Sequence, residues 1–245
     1  MTTNIASHEP LVATPLAPTP RVSRLAEDAL LFQFTAAGES RPTLPLQQRL
    51  WALVEALESR RAELGLLEIV PGMGNLLLRV ASTDNLSTQT RIDTLTDHVL
   101  TCWNSVSPTD SPGRTITIPV TYGGEAGPDL QTVAAHTGLS GDAIIARHSA
   151  GLYRVFCLGF QPGFAYLGGL DPALAIPRRA TPRLSIPAGS VAIGGNQTAV
   201  YPSASPGGWH IIGRTALMLF DPSREQPALL IAGDTVRFVA ARSAP

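Results

Sequence analysis

Lysine is missing altogether, and all 18 basic residues of this chain are arginine. No Schiff-base lysine and no phosphate-loop lysine can therefore exist here. Charge of both signs is scarce, at 15% of residues, and the formal net charge is -1. Nucleic acid, which favours a basic domain, has no electrostatic case as a partner. Cysteine is limited to Cys102 and Cys157, far apart in apolar segments, which reads as two buried reduced thiols. The five histidines show no metal-ligand spacing, so no metal is expected. No apolar run approaches the roughly 18 residues of a membrane helix, and no basic stretch followed by an apolar one opens the chain. A soluble cytoplasmic protein is expected. The GxxxxGK[ST], GxSxG, HExxH and CxxC patterns are absent, so no standalone catalyst announces itself.

What is present is enough apolar residue, 44% of 245, to bury a sizeable core. Residues 1–20 are rich in Pro, Thr and Ala without periodicity and read as a disordered extension. Residues 21–107 then read β-β-α-β-β-α, a small α+β domain. Its strands are Val22–Leu25, Ala29–Phe34, Leu66–Val70 and Leu76–Val80, and its helices Gln47–Leu64 and Arg91–Val106. The composition of Ser105–Gly113 marks a linker. Residues 114–241 form the second domain. It opens with strand Thr115–Val120 and helices Pro128–Thr137 and Gly141–His148, the latter capped by Ser140. Short strands follow at Leu152–Leu158, Ser190–Ile193, Trp209–Gly213, Leu217–Phe220 and Thr235–Val239. Many short strands between Pro/Gly turns predict a barrel or sandwich edged by helices.

The unusual segments lie between Gly159 and Arg214. Gly159–Gly169 interleaves glycine with Phe160, Phe164 and Tyr166. Two readings fit: an apolar ligand wall, or a barrel corner whose aromatics fill the core. Arg178, Arg179 and Arg183 follow prolines in a stiff loop, which suits bidentate capture of a carboxylate or phosphate. Surface arginines are the plainer alternative. Gly194-Gly195-Asn196-Gln197-Thr198 offers amide, hydroxyl and backbone donors, the parts of a carboxylate nest or simply of a turn. His148 stands in the last turn of its helix, where it is either a partly protonated cap or a proton carrier at the cleft edge.

Read together, these segments resemble the family of 5-oxoprolinase B subunits, also described as allophanate hydrolase subunit 1 and as the inhibitor of sporulation histidine kinase A. The resemblance runs through Ile118–Gly124 (IPVTYGG), Gly127–Leu130 (GPDL), His148-Ser149, Leu158–Gly168 (LGFQPGFAYLG) and Pro177–Ala180 (PRRA). It continues through Pro187–Val191 (PAGSV), Gln197-Thr198, Val200–Pro202 (VYP), Pro206–Trp209 (PGGW), Leu219–Pro222 (LFDP) and Gly233–Phe238 (GDTVRF), and it covers roughly residues 20–240.

The resemblance implies a cyclophilin-like β-barrel for the second domain. It also implies a 5-oxoprolinase complex with two partners, a larger C subunit and an A subunit. Such a complex opens the lactam of 5-oxo-L-proline to L-glutamate using ATP, the chain being inactive alone. His148 and Arg183 are the expected catalytic residues. Phe160, Pro162, Phe164, Tyr166, Arg178, Gln197, Thr198 and Tyr201 are the expected substrate-binding set. A regulator of a sensor histidine kinase, or one component of an allophanate- or urea-processing enzyme, fits the same motifs. A prolyl isomerase fits the fold alone. Ala199 stands where the family has Gly, and a positive φ there would strain the loop.

Overall fold

The computed structural model describes residues 19–36, 42–81, 85–108 and 113–241. The first 18 residues of the expected extension and the middle of the expected linker lie outside them. The first half is an antiparallel sheet of β1 (Arg21–Ala26), β2 (Ala29–Gln33), β3 (Leu66–Pro71) and β4 (Asn75–Val80), in the order β1-β2-β4-β3. Side chains alternate across a strand. In β4 this sends Leu76, Leu78 and Val80, all 1% exposed or less, to one face. Helices α1 (Leu44–Glu58) and α2 (Asn85–Ser105) cover that face with Leu50, Leu53, Leu57, Leu95, Val99 and Trp103.

Helix α1 starts earlier than its apolar stripe predicts, because Thr43 Oγ1 accepts from the Leu46 N–H (3.3 Å) and Pro45 fits the first turn. It also ends earlier, at Glu58, in turns that lead to Gly65 at φ 62°. Helix α2 begins six residues before the predicted Arg91.

The second half starts with β5 (Thr115–Tyr122), α3 (Leu130–Thr137), α4 (Gly141–Ala150), β6 (Tyr153–Leu158) and β7 (Ala165–Gly168). It continues through β8 (Arg183–Ile186), β9 (Ser190–Gly194), β10 (Gln197–Val200), β11 (Ser205–Gly207), β12 (His210–Arg214) and β13 (Thr235–Ala240). Seven of these close a barrel in the order β10-β7-β6-β13-β5-β12-β9, while β8 and β11 pair separately. A closed barrel leaves no edge strand to template aggregation. The core inside it includes Ile118, Val155, Leu167, Ile193, Ile212 and Phe238, with Val133 of α3 and Ile144 of α4 packed on.

One predicted strand does not form. Leu217–Phe220 makes only a single bridge, Phe220 to Ala228. Four strands read as loops do form: β7, β8, β10 and β11. Each has three or four residues, too few for alternation to show.

The two halves meet at a bulge. The register of β6 on β7 shifts between Val155 and Cys157, which turns the Phe156 carbonyl out of the ladder. That carbonyl accepts from Gln47 Nε2 (3.1 Å) and Trp51 Nε1 (3.0 Å), both on α1. Gln47 is fully buried, and it also donates to Gly72 O and accepts from Gly74 N. One side chain thus ties the Pro71–Gly74 turn and the barrel wall to a single helix.

Candidate functional site

Strand alternation decides which expected site residues can meet. On β10, Thr198 and Val200 point into the barrel, and Gln197 and Ala199 point out. Thr198 is fully buried, opposite Ile193 of β9. Ala199 packs instead with Phe164, Tyr201, Trp209, Ile186, Ala192 and Ile211 in a second cluster. Gln197 and Thr198 therefore do not form a common nest. Nor is Ala199 strained: Phe160 is the one non-glycine with positive φ among the described residues. Gln197 is half-buried, with Nε2 3.8 Å from Met73 Sδ across the junction between the halves.

The outer cluster carries a cavity of about 110 Å³ lined by Phe160, Phe164, Tyr166, Arg178, Tyr201, Trp209 and the Pro206–Gly208 segment. The rings meet edge to face: Phe164 lies 5.4 Å from Tyr201, 5.0 Å from Tyr166 and 5.9 Å from Trp209. Two glycines make this packing possible. A Cβ on Gly194 would sit 2.4 Å from the Trp209 ring, and one on Gly207 would sit 2.6 Å from the Tyr201 hydroxyl.

Phe160 forms the rim of the cavity, 61% exposed, with its ring 5.3 Å from Phe164. Its φ is 67°, and Gln161 N–H donates to Gly159 O (2.8 Å) around it, which makes a γ-turn of the strained hand. The neighbouring Gln161 is anchored to Ser203, while Pro162 is exposed on the loop surface.

His148 is not at the cleft edge. Its ring is fully buried, 4.6 Å from Phe238 and 5.4 Å from Tyr153. Tyr122 OH lies 2.7 Å from Nδ1, and Nε2 lies 2.9 Å from Thr198 Oγ1. Thr198 Oγ1 gives its own proton to Ala192 O (3.0 Å), so it accepts from Nε2–H. Nδ1 is then the acceptor for Tyr122, and the imidazole is neutral. Burial drives its pKa down to about 3. Neither a partly protonated cap nor a proton carrier near neutrality fits this setting.

Arg183 is also committed elsewhere. The carboxylate it captures belongs to its own chain: Nη1 and Nη2 bind Asp129 Oδ2 and Oδ1 at 2.7 and 2.8 Å. Arg179 Nη1 adds a third contact to Oδ1 at 3.2 Å, and Ile211 N–H donates to Oδ2 at 2.7 Å. Asp129 is 3% exposed. Burial by itself raises its pKa, but the bonds from Arg183 and Ile211, and the charges of Arg183 and Arg179, hold the carboxyl below its ordinary value.

Arg178 is different. It is exposed, its guanidinium carbon lies 5.7 Å from the centre of the Trp209 ring, and no carboxylate pairs with it among the described residues. Sequence reasoning missed Asp129, which stands where a helix cap is ordinary, and Trp209. For Trp209 a signal existed in the run of two glycines before it.

The chain as a whole is similar to known proteins. Residues 20–230 match the family described as carboxyltransferase domain, subdomain C and D. The 5-oxoprolinase B subunit of Escherichia coli O157:H7 is 47% identical over 197 residues, 80% of this chain and 87% of that protein. The crystal structure of TTHA0988 superposes with a TM-score of 0.69 at 38% identity. It covers 88% of this chain, which spans 40% of that longer chain. The urea amidolyase of K. lactis shares the fold, with a TM-score of 0.75 at 19% identity over 93% of this chain and 15% of that one. The chain thus belongs to the family of 5-oxoprolinase B subunits, within the wider carboxyltransferase subdomain C and D family.

Proposed function

We propose that this chain is the B subunit of an ATP-dependent 5-oxoprolinase and works only beside the C and A subunits, in the cytoplasm. The observation that carries this reading is the division of labour around the aromatic cavity. The cavity offers apolar walls and one unpaired guanidinium, which suits a small ring bearing a carboxylate. At about 110 Å³ it lies well below the roughly 300–1,000 Å³ of pockets for drug-sized ligands. The two expected catalytic groups, His148 and Arg183, are consumed inside the chain. In this reading the site holds and orients a substrate and leaves the base to a partner.

Opening the lactam with ATP transfers the γ-phosphoryl group to its carbonyl oxygen and releases ADP; water then adds to the carbonyl carbon, and loss of phosphate with cleavage of the C–N bond gives glutamate. In this reading Arg178 binds the substrate carboxylate and the rings of Phe164, Tyr166 and Trp209 exclude water from one side of the lactam. The partner subunits supply the nucleotide site and the base, because this chain has no phosphate-loop motif and no lysine. Phe160, exposed on its strained turn, closes against the C subunit.

The test is an assay of glutamate formed from 5-oxoproline and ATP by the purified chain, by the A and C subunits together, and by all three. Glutamate is expected only from the full set. Turnover by the isolated chain, or full turnover by the other two without it, overturns the proposal. A complete assembly that makes no glutamate gives the place to the kinase-inhibitor or allophanate reading.

A further inference from the structure

Three neighbouring arginines have different fates, and one buried carboxylate sorts them. Asp129 sits at the N-cap position of α3 but makes no capping bond to its own helix. Both its oxygens are turned to Arg183, Arg179 and the Ile211 N–H instead, four contacts that use its whole accepting capacity. The backbone on either side of Arg178 is held as well. His210 Nε2 lies 3.0 Å from Pro177 O, and Arg179 N–H donates to Gly208 O at 2.7 Å. Arg178 thus stands between two pinned residues, with its guanidinium beside Trp209 at the cavity. Two of the three guanidinium groups bind the one carboxylate, and the third, on Arg178, is left on the loop that borders the cavity.

We propose that Asp129 is a positioning residue: by holding Arg179 and Arg183 it fixes the 177–183 loop and aims Arg178 at the carboxylate of the substrate. This rests on the reading of the aromatic cavity as the substrate site. Asp129 itself touches no substrate. Its effect passes through Arg178, so the two residues should not act independently.

The experiment is a double-mutant cycle in the assembled three-subunit complex, reading KM for 5-oxoproline separately from kcat. Arg178→Gln is expected to raise KM by about tenfold or more, the scale of a lost charge-assisted hydrogen bond. Asp129→Asn is expected to raise KM by about three- to tenfold with kcat within about twofold, and to add nothing further in the Arg178→Gln background. Asp129→Glu, which keeps the charge, should recover part of the loss. Arg179→Gln serves if Asp129→Asn does not fold, because it leaves the two-pronged Asp129–Arg183 pair in place, and the same non-additivity is expected.

Full additivity with Arg178→Gln shows a general structural role and overturns the proposal. So does a folded Asp129→Asn complex with unchanged KM while Arg178→Gln is impaired. An Arg178→Gln complex with wild-type KM overturns the substrate site itself, and the positioning role with it.

Discussion

Phe160 is held at φ 67° in a γ-turn, with most of its ring in solvent. Such a backbone costs a non-glycine residue of order 1–3 kcal/mol. Phe160→Gly removes the strain and Phe160→Ala does not, so the Gly variant should be the more stable of the two by about 1 kcal/mol in urea unfolding. Both variants lose the ring and should slow the assembled complex. His148 makes stability depend on pH. Its folded pKa is about 3, well below the ordinary value near 6.5, so the unfolded chain binds the extra proton first as pH falls. The stability that depends on neutral His148 is complete above about pH 6.5 and is lost as pH drops from there towards 3, at about 1.4 kcal/mol per unit. His148→Gln cannot titrate. It should be less stable at pH 7, show a flatter loss of stability between pH 6 and 4, and leave the pH–rate profile of the complex unchanged. A profile that moves with His148→Gln would restore the proton-carrier role. The histidine's presence was legible in the sequence. Its environment was not, because Tyr122, Thr198 and Phe238 reach it from three distant strands.

Between elements, the weight falls on Gln47. Its amide bonds Gly72 O, Gly74 N and Phe156 O, so one residue of α1 holds a turn of the first half and a strand of the second. Gln47→Ala leaves buried backbone groups without partners, each costing about 1–3 kcal/mol. Phe156 O retains its bond from Trp51, so the loss should fall on the Pro71–Gly74 turn. Unfolding in urea should show the lower midpoint, and amide exchange should show Gly74 N–H losing protection. An unchanged midpoint would mean that water replaces the amide at little cost. Sequence pattern reached the long elements here and stopped at the short ones. The stripes of α1 and β4 are visible because each spans several turns or pleats. Strands β7, β8 and β10, with four residues each, carry too few side chains for a period to show. Nothing in the neighbourhood of Gln47 marks a partner 109 positions away.

At the scale of the whole molecule, the barrel closes through its most distant segments. Strands β5 and β13 pair in parallel over six residues, Thr115–Val120 against Thr235–Ala240. Contacts of such sequence separation must close a long loop before they stabilise anything, so folding of this chain should be slow for its size. Phe238 lies fully buried in that closure, against His148 and Tyr153. Phe238→Ala should cost about 3–5 kcal/mol, read as a lower urea midpoint. A loss under about 1 kcal/mol would mean that the core around Phe238 repacks freely. The sequence by itself determined the kind of molecule: strand–helix–strand patterning in the first half, short Pro/Gly-bounded strands in the second, and a family likeness spread over most of the chain. Those features are local, set by residues within a few positions of each other. Tertiary structure alone decided which site residues meet. It turned Thr198 inward and Gln197 outward, gave Arg183 an internal carboxylate, buried His148, and left Arg178 beside Trp209. Each of those outcomes depends on partners tens of residues away, and a residue's chemistry is set by the neighbours that the closed barrel brings to it.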